Sequence, residues 1–171
     1  MEVAQTLGNE IHVGTADEGE QLLTFLLAGE EYGVDILRVQ EIKGWDSVTV
    51  IPNTPEYIKG VINLRGTIIP IIDLRLRFSL ESIDYGPTTV VIVLRVELEG
   101  RSRIMGIIVD AVSDVYNVPE EGMKPPPDFG ALVDTEYVSG LMSVDEKMVI
   151  ALDIDRLLNA DELALNKDGE E

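Results

Sequence analysis

No cysteine occurs in the 171 residues, so neither a disulfide framework nor a thiolate zinc site can be built. The single histidine, His12, stands in a polar N-terminal stretch, which leaves Ser-His-Asp and Cys-His arrangements without a base in the patterned part of the chain. Basic side chains are scarce too. Thirteen Lys and Arg face 32 Asp and Glu, for a net charge of −19, and such a surface repels phosphate backbones and excludes nucleic acid as a partner. Long apolar runs are missing: the longest have the length of a strand, far short of the roughly 18 residues of a membrane span. The opening M-E-V-A-Q-T-L-G-N-E has neither the basic n-region nor the apolar h-region of a signal peptide. Together these absences predict a cytoplasmic protein with no direct membrane insertion.

What is present is a foldable core. Hydrophobic residues make up 45% of the chain, enough for one sizeable domain or two small subdomains sharing a core. The charge is unevenly placed. Residues 1–20 carry five acids and no base, and residues 159–171 carry five acids and one base. Residues 35–77 run the other way, with Arg38, Lys43, Lys59, Arg65, Arg75 and Arg77 against five acids. A near-neutral island in an acidic protein suits the approach of an acidic partner. Residues 1–18 are acidic and aperiodic and read as a flexible tail, as do residues 166–171.

Between the tails the text is mainly β. L-L-T-F-L-L-A, the turn at Gly29-Glu30 and E-Y-G-V read as strand, turn and strand. I-L-R-V-Q-E-I fits a helical turn or a strand equally. Val48 to Ile51 is strand-like, and Thr54-Pro55 offers an N-cap and first-turn proline for one turn of helix through Tyr57. V-I-N-L and T-I-I-P-I-I-D-L read as two strands around Arg65-Gly66, with Pro70 predicting an edge or a bulge because it cannot donate to a ladder. Thr88 to Leu98 turns through Glu99-Gly100 into Ile104–Val109, a β-hairpin. E-E-G-M-K-P-P-P-D-F-G is a loop. Strands are expected near Tyr137–Leu141 and Met148–Leu152. An amphipathic terminal helix follows, with Ile154, Leu157, Leu158 and Leu165 on one face. No sequence repeat is evident. Many short strands at turn-punctuated intervals predict two small β-barrels rather than helices on a sheet.

Catalytic and phosphate-binding readings fail on spacing. Gly60 and Gly66 are separated by five residues with no lysine after them, and the next segment is β-branched, so no Walker A loop forms. Asp110/Asp114 and Asp153/Asp155 are close carboxylate pairs, but neither has the D-x-[DN]-x-[DN]-G pattern of a calcium loop. Solvated strand ends and helix caps account for them better. No cofactor is called for, and no pair among the acids is singled out for acid/base work.

E-E-Y-G-V-D-I-L-R-V-Q-E-I-K-G, N-T-P-E-Y-I-K-G-V-I-N-L-R-G, I-I-P-I-I-D-L-R, V-D-A-V-S-D-V and T-E-Y-V-S-G-L, in that order from about Gln21 to Leu165, resemble the CheW family of chemotaxis adaptors, close to its enterobacterial type. The resemblance implies two five-stranded SH3-like β-barrels packed together with a short C-terminal helix. It places one CheW-like domain over residues 19–165, the first barrel roughly 30–85 and the second roughly 86–152 plus the first strand, 21–28. It implies a free-standing, non-enzymatic adaptor linking the cytoplasmic tips of methyl-accepting chemoreceptors to the regulatory domain of the histidine kinase CheA, recruited to membrane-associated receptor arrays. The alternative is a CheW-like module serving a different receptor or kinase system.

Carried over by motif, the resemblance assigns Val39, Glu41, Ile42, Arg65, Val90, Val91 and Gly106 to a receptor-facing groove. Because alternate strand residues point oppositely, at most one of Val90 and Val91 lines it. The other reading of Arg65 is a strand-end arginine paired with Glu41 or Asp73. Lys59, Ile68, Ile69 and Pro70 correspond to the kinase-facing rim, and Lys124 and Phe129 to a ring-closing contact. The hairpin R-V-E-L-E-G-R-S-R is longer than the family pattern.

Overall fold

The computed structural model describes residues 19–98, 100–126 and 136–159. Among them run ten strands: β1 (Gln21–Leu27), β2 (Glu30–Asp35), β3 (Val39–Gly44), β4 (Ile58–Leu64), β5 (Thr67–Asp73), β6 (Val90–Leu98), β7 (Arg101–Val109), β8 (Ala111–Asn117), β9 (Val138–Val144) and β10 (Lys147–Leu152). A 3-10 turn, Ile36–Arg38, joins β2 to β3, and a one-turn helix, α1 (Leu74–Arg77), follows β5. Residues 154–159 form the described part of the C-terminal helix, α2. The ambiguous I-L-R-V-Q-E-I is thus both of its readings in succession.

The strands make two five-stranded sheets, ordered β8-β1-β2-β10-β9 and β3-β6-β7-β5-β4. Their count and packing fit the SH3-like barrels that the resemblance implies. Period-2 alternation builds three apolar layers from them. Val91 and Val93 of β6 pack on one face of their own sheet with Ile69, Ile71 and Ile108. The alternate residues Ile92, Leu94 and Val96 face the other way, into a shared core with Leu23, Phe25, Leu27, Leu157 and Leu158. The other sheet has its own smaller filling of Leu22, Met142, Val149 and Ala151.

A repeat runs through this architecture, contrary to the reading of the sequence. Glu56, Tyr57, Gly60 and Asp73 recur eighty residues later as Glu136, Tyr137, Gly140 and Asp153, and their roles recur with them. Asp73 N donates to Tyr57 O at 2.7 Å, and Asp153 N to Tyr137 O at 2.8 Å. Both aspartates cap the turn that follows, accepting from Leu76 N and Arg156 N. In the first strands the spacing differs, but the pairing corresponds. Gly33 of β2 lies beside Ala151 in a parallel pair, and Gly106 of β7 lies beside Ile71. Each sheet therefore takes its first two strands from one half of the chain and its last three from the other.

The first strand, 21–28, lies with β8, β9 and β10 as the expected division had it, but that division, 30–85 and 86–152 plus 21–28, misplaces β2 and the β6–β7 hairpin. The two-residue turn Ala28-Gly29 keeps β2 with β1 in the sheet of β8, β9 and β10. The hairpin Val90–Val109 belongs with β3, β4 and β5. The repeat was hidden because only four residues between 54 and 78 match at the eighty-residue spacing, and the half-boundary cuts across both sheets.

Other departures are local. Thr54-Pro55 opens a hydrogen-bonded turn, Ile58 N to Pro55 O at 3.0 Å, and no helix. Val48 to Ile51 contributes one bridge, Thr49 to Val61. The strand β8 was missed: its half-exposed pattern carries little hydrophobic signal. Pro70 is not at a sheet rim, since β5 lies between β7 and β4 and Pro70 is buried. Opposite it, Val61 spends both its N–H and C=O on Thr49 at 2.9 Å. Pro70 therefore turns its missing donor toward β7, where pairing begins only at Ile71. Leu165 and both predicted tails lie outside the described residues.

The halves meet through aromatic and cationic side chains as well as aliphatic ones. The Arg77 guanidinium stands 5.3 Å from the Tyr57 ring and 4.8 Å from the Tyr137 ring, a cation between two corresponding tyrosines, and donates to Tyr137 Oη at 2.8 Å. Phe78, Tyr32 and Phe25 stack in succession beside it.

Two carboxylates are buried among the described residues, Asp73, which caps α1, and Glu31. Glu31 is 6% exposed and accepts Thr24 Oγ1 at 2.8 Å, with Lys147 Nζ at 3.5 Å. Thr24 also accepts Asp114 N at 3.1 Å, at the register shift between β1 and β8. Burial pushes the Glu31 carboxyl up, but hydrogen bonds from Ser113 and Thr24 and the charge of Lys147 outweigh it, and the net shift is downward from 4.5. A depressed folded pKa means that Glu31 contributes stability above its ordinary titration range and loses it as pH falls through the folded value. Glu31→Gln is therefore expected to flatten the fall in urea-melt midpoint between about pH 5 and pH 3, measured against the unmodified chain.

Candidate partner-binding site

The tip of the β4–β5 hairpin is built by two residues in the left-handed region, Arg65 at φ 50° and Gly66 at φ 91°. Paired positive φ values are the signature of a type I′ turn, whose twist matches the flanking strands. Asn63 Oδ1 accepts Gly66 N at 2.8 Å and fixes the turn. The turn type itself demands this conformation, and the corresponding β9–β10 turn adopts it at Asp145 and Glu146. The turn carries Arg65 out to the surface, 73% exposed, where Nη2 meets Glu41 Oε1 at 2.6 Å.

Glu41 reaches this position because β3 carries a bulge. The register against β6 shifts between Val39, opposite Leu94, and Glu41, opposite Val93. The extra residue lets Val39 and Ile42 both turn toward the shared core while Glu41 points out at the hairpin tip. The pair joins β3 and the β4–β5 turn, which belong to opposite ends of the strand order. It thereby brings the two edges of the sheet together. Of the two readings of Arg65, the pairing with Glu41 is present, and it leaves most of the guanidinium open to a partner.

The remaining assigned residues divide. Val39 and Val90 are half-buried and pack at the rim of the shared core, whereas Ile42 is buried within it. Val91 lies inside its own sheet's filling, so of the two neighbouring valines it is Val90 that reaches the rim. Gly106 is buried, and a Cβ there would stand 2.7 Å from Ile71 Cδ1 and 2.9 Å from Val91 Cγ1. Internal packing accounts for that glycine, and its side faces the sheet filling rather than a groove. Arg65 and Glu41 thus meet at the surface, Val39 lies at the start of β3 and Val90 opposite Gly44 at its end, both half-buried, while Ile42, Val91 and Gly106 are buried.

A second set lies farther along the hairpin. Ile68 is 59% exposed beside Asn63, Lys59 is half-buried, and Ile69 and Pro70 are buried. Sequence reasoning missed Val50 and Ile51, exposed apolar residues in the segment whose Thr49 pairs with Val61 on β4. The signal lay in V-T-V-I itself, an apolar run read as a strand when only one residue pairs. Lys124 is exposed, with its backbone paired to Leu141. Phe129 lies outside the described residues.

The carboxylates considered for metal or acid/base work are engaged structurally. Asp110 binds Arg75, Asp155 binds Arg38, and Asp153 caps α2. Asp73 accepts a hydrogen bond from the Tyr85 hydroxyl, and burial with that bond drives the Tyr85 pKa upward. Among the described residues no three His, Asp or Glu side chains gather in a metal-binding group, and no helix is long and apolar enough to cross a membrane.

The CheW-like domain family model matches residues 21–162. The chain belongs to the CheW family of chemotaxis coupling adaptors. It is 50% identical over 147 residues to the chemotaxis protein CheW of Klebsiella aerogenes, covering 86% of each chain. It is 37% identical to the chemotaxis protein CheW of Treponema pallidum, again covering 86% of each. Among solved structures it is similar to the scaffolding protein TtCheW of Thermoanaerobacter tengcongensis, with a TM-score of 0.72 and 38% identity over 83% of this chain and 89% of that one.

Proposed function

We propose that this CheW-family chain joins the cytoplasmic tip of a chemoreceptor to the regulatory domain of the histidine kinase CheA, in the cytoplasm at receptor arrays and without catalysis of its own. The observation that carries the reading is the exposed Arg65 on its two-residue turn, paired to Glu41 of β3, a strand whose ends are marked by the half-buried Val39 and, opposite Gly44, Val90. A receptor helix laid along this rim meets apolar contact from the valines and a forked donor from Arg65, while Glu41 fixes the orientation of that donor. Ile42, Val91 and Gly106 act from behind by setting the strand spacing.

The kinase is assigned to the second set. Ile68 near the hairpin tip supplies an apolar anchor, and Lys59 with the exposed Val50, toward the other end of β4, a charge and a second apolar contact. Ile69 and Pro70 hold that strand in place. The ring contact is assigned to Lys124, whose backbone pairs with Leu141 of the other sheet, and to Phe129; Met148 of that sheet, eighty residues after Ile68, is likewise exposed. Ile68→Asp is expected to weaken kinase binding about tenfold or more, the scale of a lost interface anchor, while receptor co-sedimentation stays unchanged. Equal loss of both activities contradicts the division into two surfaces. A CheW-like module serving another receptor or kinase would bind neither partner in that assay.

A further inference from the structure

Two bidentate ion pairs tie the exchanged halves together at corresponding places. Arg75 in α1 donates to Asp110 through Nε to Oδ1 and Nη2 to Oδ2, both at 2.9 Å. Eighty residues after Arg75 stands Asp155, which accepts Arg38 Nη1 and Nη2 at 2.8 Å each. Asp110 lies in the β7–β8 link, and Arg38 lies in the corresponding β2–β3 link. Each aspartate also takes a backbone N–H from a hairpin: Ala28 N reaches Asp110 Oδ2, and Glu97 N reaches Asp155 Oδ1, both at 2.9 Å. The frame is the same twice over, with its polarity reversed. All four side chains are between 15 and 29% exposed.

The reversal has an electrostatic consequence. Both arginines belong to the first half of the chain and both aspartates to the second. In this fold each sheet is completed by the other half. A first half meeting a copy of itself would set Arg38 against Arg75, and a second half meeting its copy would set Asp110 against Asp155. Like charges brought together in a partly desolvated contact are costly, and a guanidinium cannot satisfy a second guanidinium. Specificity between similar surfaces requires a repulsive element of this kind.

We propose that Arg38, Arg75, Asp110 and Asp155 form a pairing code by which residues 19–88 accept residues 90–159 of their own chain and reject a like half of a second copy. The connection between the halves keeps the correct partner at high effective concentration, and the code removes the homotypic alternatives that a duplicated, strand-exchanged fold otherwise permits.

Charge reversal in the full-length chain tests this. Arg38→Asp with Arg75→Asp, and separately Asp110→Arg with Asp155→Arg, are each expected to lower Tm by about 10 °C or more and to lose the monomer peak in size-exclusion chromatography. The fourfold reversal restores opposite charges in both places and is expected to regain the monomer and most of the lost Tm. Refolding the two double variants together is expected to give a one-to-one heterodimer, since the acidic first half of one matches the basic second half of the other. Three results would each overturn the code: a double variant that stays monomeric at wild-type Tm, a fourfold variant no more stable than the doubles, or co-refolded doubles that do not associate.

Discussion

Gly60→Ala is expected to lower unfolding free energy by roughly 3 kcal/mol or more, the sum of a forbidden backbone conformation and a clash that cannot be relieved by side-chain motion. Gly60 sits at φ 150°, and a Cβ there would stand 2.3 Å from the carbonyl oxygen of Thr49. That oxygen is the acceptor for Val61 N, so moving it away breaks the bridge that covers the outer edge of β4. For a domain of this size the change corresponds to a fall in Tm of about 10 °C, read by calorimetry. Retention of the wild-type Tm would show that the Thr49–Val61 bridge is not a fixed part of the fold. Gly140, its counterpart, is the milder case because its backbone is outside the left-handed region and its nearest clash, 2.7 Å from Met123 Cβ, is less close.

Arg65→Glu is expected to abolish co-sedimentation with receptor tip fragments and to leave Tm nearly unchanged. The substitution places two acids together at the rim, Glu41 and the new carboxylate, where the partner site calls for a cation. A loss of about 2 kcal/mol or more, some thirtyfold in affinity, is the usual scale for removing a charged interface anchor. Folding is little affected because an exposed ion pair contributes at most about 1 kcal/mol. Normal sedimentation by the folded variant would remove Arg65 from the receptor site.

Much of this architecture was legible in the residues because its signals are local. The two strands around Arg65-Gly66 follow from β-branched runs on either side of a two-residue turn. The family motifs N-L-R-G and P-I-I-D-L-R lie on that same hairpin. What could not be read is what depends on distant partners. Pro70 looks like an edge residue until Val61 is seen to spend its hydrogen bonds on Thr49. Gly106 looks like an opening for a helix until Ile71 and Val91 are seen to fill the space. The family resemblance placed β1 with the later strands, but that β2 goes with it and the β6–β7 hairpin crosses the other way escapes a linear reading, since the other members of that sheet begin ninety residues after β1. Val50 was concealed by a composition that suits a buried strand as well as an exposed contact.

The adaptor role itself is tested most directly by kinase autophosphorylation in membranes holding receptor, CheA and this protein. The rate is expected to rise when the wild-type chain is added and only when receptor is present. Arg65→Glu and Ile68→Asp should each leave it at the level of CheA alone, one by losing the receptor and the other by losing the kinase. An unchanged rate on adding the folded wild-type chain would contradict the assignment of these partners.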